Sequence, residues 1–200
     1  MADKKVPSIK LILGATKGKP VRFSYLHVHE AKLNSESGNM EFSVAALIPK
    51  ANVEDITAIK GAITKLQKEM WLDEKKKVPP QFWNPLKDAD VDTKQNGESF
   101  GEETKGHYIL NCKTGEDSPP DAVGTTRDAK GAFTPLAKNQ VKSGDWGRIS
   151  VNMGVYTKGT SGVGAYLNRV QLLASGEPLS SRGSAEDDFG DFDDFDDPLA

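Results

Sequence analysis

Apolar and polar residues alternate with a period of two from residue 20 to residue 30. Val21, Phe23, Tyr25, His27 and His29 fall on one side, and Arg22, Ser24, Leu26 and Val28 on the other. This period predicts a β-strand, entered through a turn at Lys17 to Pro20. After a turn over residues 35–39, Met40, Phe42, Val44, Ala46 and Ile48 give a second strand its buried face, and Pro49 ends it. The two read as a hairpin. The period then changes. Val53, Ile56, Ile59, Ile63, Leu66 and Met70 recur at spacings of three and four, the apolar stripe of an amphipathic helix. Asn52 is its expected N-cap, with Glu54 and Asp55 in the first turn, where the helix dipole favours anions. Gly61 inside the stripe suggests close helix packing, and Pro79-Pro80 forbids continuation.

Residues 82–106 are polar and carry Pro85, Gly97, Gly101 and Gly106, so they read as a long loop. His107 to Lys113 is a third strand, and residues 114–144, with Pro119, Pro120 and Pro135, read mostly as connection. Trp146 to Tyr156 is a fourth strand. The turn Lys158-Gly159-Thr160-Ser161-Gly162 leads to a fifth over residues 163–173. Five strands with one helix between the early and late ones predict a mainly β protein. The expected architecture is a five-stranded Greek-key barrel, the OB-fold, with long loops. On this reading residues 1–174 form one domain, 175–185 a flexible linker and 186–200 a disordered tail.

Charge divides the chain at the same place. All 26 Lys and Arg precede residue 186, against 21 of the 29 acidic residues, so a body of +5 carries a tail of −8 within a net charge of −3. The tail sets eight acids around three evenly spaced rings, Phe189, Phe192 and Phe195. Such a segment cannot bury enough apolar surface to fold. Its alternation of negative charge and flat rings imitates single-stranded nucleic acid. It is therefore expected to compete for a basic, aromatic groove, and Asp188, Phe189, Asp191, Phe192, Asp194, Phe195 and Asp197 are expected to bind partner proteins.

Other function classes recede. Cys112 is the only cysteine, so a reducing compartment fits. The N-terminus is not followed by a signal-peptide core, and no stretch approaches the roughly 20 apolar residues of a membrane span. The expectation is a cytoplasmic protein with no membrane contact. Gly14 to Pro20 falls short of a phosphate-binding P-loop: three residues separate its glycines, and Pro20 stands where Ser or Thr must hold magnesium. His27 and His29, with His107 or Cys112, lack zinc-finger spacing, so no metal or other cofactor is expected. With three histidines, one cysteine and no nucleophile motif, the chain does not read as an enzyme.

Single-strand binders combine cations along the phosphates with rings beneath the bases. On the fourth strand Trp146, Arg148, Ser150, Asn152 and Tyr156 share one parity, while Ile149, Val151, Met153 and Val155 share the core parity. This sets a ring and a guanidinium on the wet face. Tyr25 and His27 on the first strand, Tyr108 on the third and Arg169 on the fifth are further candidates. So are the basic loop Lys75-Lys76-Lys77 with Trp83, and Lys158 beside its glycine-rich turn.

Four segments together resemble a known family. Ile48-Pro49-Lys50, the helix through Ile59-Lys60-Gly61-Ala62-Ile63, then residues 106–112 (Gly-His-Tyr-Ile-Leu-Asn-Cys) and residues 162–171 (Gly-Val-Gly-Ala-Tyr-Leu-Asn-Arg-Val-Gln) are similar, in order, to the tailed-phage single-stranded-DNA-binding proteins once catalogued as a domain of unknown function. The resemblance covers roughly residues 21–179. It implies an OB-fold that binds single-stranded DNA with little sequence preference in phage replication or recombination, in the host cytoplasm. The acidic tail separately resembles those of bacterial and phage single-strand-binding proteins, though it ends in Pro198-Leu199-Ala200 instead of a terminal phenylalanine. Two alternatives stay open on the residues alone. One is a DNA-mimic inhibitor of a nuclease or host single-strand-binding protein, and the other an RNA-binding OB-fold protein. Oligomeric state is not readable.

Overall fold

In the computed structural model, which describes residues 6–35, 37–72, 77–94, 96–157 and 160–179, a single mixed sheet organises the chain. Its strands are β1 (Ser8–Leu13), β2 (Val21–Leu33), β3 (Met40–Pro49), β4 (Leu86–Asp88), β5 (His107–Gly115), β6 (Asp121–Arg127), β7 (Phe133–Pro135), β8 (Trp146–Tyr156) and β9 (Gly162–Ala174). One helix, α1 (Val53–Gln67), continues into a π-helical turn over Lys68–Leu72.

The sheet closes on itself. β2 pairs with β3, β3 with β5, β5 with β9 in parallel, β9 with β8, and β8 with β2. These are the five expected strands, and their ring is the barrel that the period-two segments call for. Its interior takes the apolar parity of each strand: Val21 and Phe23, then Val44, Ala46 and Ile48, Leu110 and Cys112, Ile149, Val151 and Met153, and Val163, Ala165 and Leu167.

The helix stripe joins this core through Ile56, Ile59, Ile63 and Leu66, with Met70 packed against it. Asn52 caps α1 as expected, its Oδ1 accepting the Asp55 amide at 3.3 Å. Asp55 ties the helix to the sheet, accepting the Gly14 amide at 2.6 Å and the Asn52 side-chain amide at 2.7 Å. Burial pushes its carboxyl above the ordinary aspartate value despite those bonds. Gly14 sits at φ +75° and against β8, where a Cβ would stand 2.6 Å from the Gly147 carbonyl oxygen. Two details of the helix depart from the pattern: Val53 is exposed, and Gly61 faces open space and mediates no close packing.

Three regions differ from the expected connections. β1 adds an antiparallel strand outside the barrel, against β8. The 82–106 loop contains β4, which pairs with β5, and a 3₁₀ turn at Glu102–Thr104. The 114–144 connection contains the β6–β7 hairpin, docked in parallel on β9. Pro135 sits in β7 at the sheet edge, where a missing N–H costs no ladder bond. No helix of the described residues is long and apolar enough to cross a membrane.

Candidate nucleic-acid interface

A groove of about 950 Å³ crosses the outer face of the barrel. Small or polar side chains make its floor: Ser43 and Ala45 on β3, Asn111 on β5 and Gly164 on β9. At one end stand Lys32 and Leu33 at the end of β2, Asn34 and Ser37 of the β2–β3 turn, and Glu41 and Lys113. Aromatic groups line the rest, namely Tyr25, His27, Trp83, Tyr156 and Tyr166. A low floor with rings around it admits flat bases.

Three of these rings are placed by local backbone devices. Tyr25 adopts φ +46°, the only non-glycine among the described residues with positive φ. The β2–β3 register slips between Ser24 and His27. Strict alternation would bury Tyr25 beside Phe23, but the slip turns it outward, leaving it 69% exposed while Ser24 and Val28 become buried. Trp83 pairs its backbone with Gly162, its N–H donating to the Ser161 carbonyl at 2.9 Å and its carbonyl accepting from Val163 at 3.2 Å. The β4 segment thereby fills the gap where β5 and β9 diverge. Lys87 Nζ lies 4.8 Å from the Trp83 ring centroid. Tyr166 spreads over the cross-strand pair Gly154 and Gly164, where any Cβ would meet its ring at 3.1 Å and 3.4 Å.

Electrostatics at the turn end centre on Glu41. Its side chain is only 14% exposed and receives Lys113 Nζ at 3.0 Å, the Asn34 amide at 2.8 Å and the Ser37 hydroxyl at 3.4 Å. Partial burial, and secondarily the Lys32 charge, hold the His27 imidazole below its ordinary pKa. Burial and the neighbouring Tyr166 raise Tyr156. Cys112 lies under the floor, where burial pushes its thiol well above the usual range, so the groove offers no thiolate. Among the described residues no three His, Cys, Asp or Glu side chains gather to hold a metal ion.

Of the residues singled out by sequence, the structure brings Tyr25, His27, Trp83 and Tyr156 together. Others lie elsewhere. Tyr108 sits against α1, with Lys50 and Lys60 at 5.5 Å and 4.8 Å from its ring. Trp146 and Arg148 share a face but do not form a pair. Arg22 stacks on Trp146 at 5.4 Å, and Arg148 Nε donates to Gln171 Oε1 at 2.6 Å. Arg169 is engaged by Asp121 at 2.8 Å. Lys77 is exposed and outside the groove lining. Lys75, Lys76, Lys158 and the tail residues from Asp188 to Asp197 lie outside the described residues. Sequence reasoning misses Tyr166, Lys32, Asn111 and Lys113. Tyr166 carries the one usable signal, a ring two residues from Gly164 in a glycine-rich strand.

The chain after β9 returns across the same face. Asp145 Oδ1 accepts the Gly176 amide at 3.0 Å and Lys142 Nζ at 2.7 Å, and Arg22 donates to the Glu177 carbonyl at 2.8 Å. Asp145 is buried, which alone would raise its pKa, but the bonds from Lys142 and Gly176 hold it below the ordinary value. Leu179 then packs against the cluster of Leu47, Ala89 and Ile109, against which the floor residue Ala45 also packs. The segment read as linker from Ser175 is thus held on the barrel as far as Leu179.

Residues 10–199 match the family model described as Enterobacter phage Enc34, ssDNA-binding protein. Three solved structures share the fold. The Enc34 single-stranded DNA-binding protein in complex with ssDNA superposes with a TM-score of 0.61 at 20% identity, over 86% of this chain and 89% of that one. The same phage protein in a further structure gives 0.58 at 21% identity, over 92% and 90%. Bacteriophage T7 gp2.5, a single-stranded DNA-binding protein, gives 0.52 at 11% identity, over 90% and 97%. No curated protein sequence matches the chain.

Proposed function

The chain belongs to the phage ssDNA-binding family of Enc34, and we propose that it coats single-stranded DNA with little sequence preference during phage replication and recombination. The observation that carries this reading is the convergence of five rings and two lysines on one low-floored groove. Base faces stack on aromatic side chains whatever their sequence, each contributing about 1–3 kcal/mol, while Lys32 and Lys113 meet phosphates. No nucleophile or metal cluster enters this reading, which is of a binding protein acting in the host cytoplasm.

The acidic tail has a place in the same scheme. The described chain ends at Leu179, which packs against the same small cluster, Leu47, Ala89 and Ile109, as Ala45 of the groove floor. Seven residue steps separate Leu179 from Glu186, a covalent reach of up to about 24 Å. The tail therefore starts within reach of the groove, where its carboxylates and phenylalanines compete with phosphates and bases. DNA displaces it, and it then recruits replication or recombination proteins.

The test is a titration of a fluorescent thirty-odd-nucleotide strand with the full chain and with a chain truncated after residue 185, at two salt concentrations and with duplex competitor. Salt-sensitive binding that prefers the single strand, tighter without the tail, is expected. Absence of binding by either form would sink the groove reading. Equal affinity and salt slope in the two forms would remove the tail's competing role alone.

A further inference from the structure

Residues paired across a sheet project from the same face, so successive cross-strand partners form a row at right angles to the strands. One such row crosses six strands here. His27 on β2 pairs with Ser43 on β3, and Ser43 with Lys113 on β5. Lys113 pairs with Tyr166 on β9, Tyr166 with Asn152 on β8, and Asn152 with Lys10 on β1. The first four line the groove. The last two lie beyond Tyr166, on a strand pair outside it. Five inter-strand steps amount to about 24 Å along the sheet surface.

We propose that Asn152 and Lys10 extend the single-strand track out of the groove, across β8 and onto β1, with Lys10 as a phosphate contact. The inference rests on the single-stranded-DNA reading and deepens it. Charge accounting along the row favours it. Lys113 enters the groove already paired with Glu41 at 3.0 Å, and Lys32 lies 3.5 Å from Glu30. Lys10 is exposed and pairs with no acid among the described residues. Of the two lysines in the row, Lys10 is the one without an acidic partner among the described residues. Arg148 and Arg169, on the neighbouring positions, are engaged by Gln171 and Asp121.

Asn152 fits the intervening position. Its Nδ2 donates to Asn168 Oδ1 at 3.2 Å, which leaves its own Oδ1 and the Asn168 amide hydrogens available to a base edge or sugar. β1 is the last strand on its side of the sheet, so no further described strand blocks the exit. A strand of a few nucleotides is satisfied inside the groove. A longer one, following the row, reaches Lys10.

The experiment compares oligo-dT of 6 and 20 nucleotides by fluorescence anisotropy across a salt series. It uses the full chain, Lys10→Gln, and Lys130→Gln as a charge-matched change in the β6–β7 turn, with circular dichroism to establish folding. Lys10→Gln is expected to weaken the 20-mer about threefold to tenfold and to reduce its log–log salt slope by about 0.7, leaving the 6-mer within about twofold. Lys130→Gln should leave both within about twofold. An unchanged slope for Lys10→Gln, or equal losses in the two variants, would overturn the extension while leaving the groove intact. Failure of the unaltered chain to bind either strand would instead overturn the groove reading, and the extension with it.

Discussion

Trp83 reaches the groove because Gly162 has no side chain. A Cβ at Gly162 would stand 2.6 Å from Trp83 Cβ, 2.8 Å from its carbonyl oxygen and 2.8 Å from the Tyr156 hydroxyl. Gly162→Ala is therefore expected to cost about 1–3 kcal/mol of stability by overpacking and to weaken DNA binding by displacing both rings. The indole also reports on its own position. Trp71 is 7% exposed against Phe82 and Trp146 lies under the returning chain, so Trp83→Phe should abolish most of the fluorescence quenching that single-stranded DNA produces. Quenching that persists in Trp83→Phe would place the bases elsewhere.

Tyr25 holds a left-handed backbone conformation that costs an L-residue about 1–2 kcal/mol. Its ring is mostly in solvent, so packing of the side chain does not offset the cost. Replacing the residue by Gly relieves the strain, whereas Ala keeps it. Tyr25→Gly should be more stable than Tyr25→Ala by about 1 kcal/mol in denaturant melts. Both should lose affinity for single-stranded DNA to the same extent, about 1–3 kcal/mol.

Glu41 holds Lys113 at 3.0 Å, and on the proposed function it would compete with phosphate for that lysine. Removing its charge in Glu41→Gln keeps the hydrogen-bonding shape with Asn34 and Ser37 and frees the ammonium. The expected result is a several-fold gain in affinity at low salt and a log–log salt slope steeper by about 0.7. A loss of affinity would show instead that Glu41 serves to hold Lys113 in its binding position.

His27 gives the groove a pH dependence. Burial and Lys32 lower its pKa from the ordinary 6.5, so in the free protein the ring is neutral at pH 7. The unfolded chain takes up this proton first. Its contribution to stability is therefore complete above about pH 6.5 and is lost as pH falls through the lower folded value. A phosphate beside the ring favours the imidazolium, so binding should tighten as pH falls from about 7.5 to 5.5. His27→Gln should flatten that profile in anisotropy titrations.

Much of the fold is legible in the chain because burial leaves a period. The core parities of β2, β3, β5, β8 and β9, the stripe of α1 and its Asn52 cap can all be read from the order of residues. β1 alternates in Ile9, Leu11 and Leu13 over only six residues, while β4 and the β6–β7 hairpin leave no such mark. They are short, they lie at sheet edges or fill gaps, and Pro119, Pro120 and Pro135 mask them as connections. The site is half legible. Aromatic residues on strands are visible as candidates, but parity alone does not separate Tyr25 in the groove from Tyr108 against the helix.

The sequence by itself determined the class of protein: alternation and a single amphipathic stripe commit the chain to a barrel with one helix, and the +5 body with its −8 tail points to nucleic acid. Only the tertiary structure decided which rings share the groove. A one-residue slip at Tyr25 changes the face of the residues that follow it as far as Val28, a second shift comes before Lys32, and the pairing of Trp83 with Gly162 joins segments nearly eighty residues apart. Local pattern records which side of a strand is buried. Register and closure, which set neighbours across strands, arise from contacts between distant segments and leave no local trace.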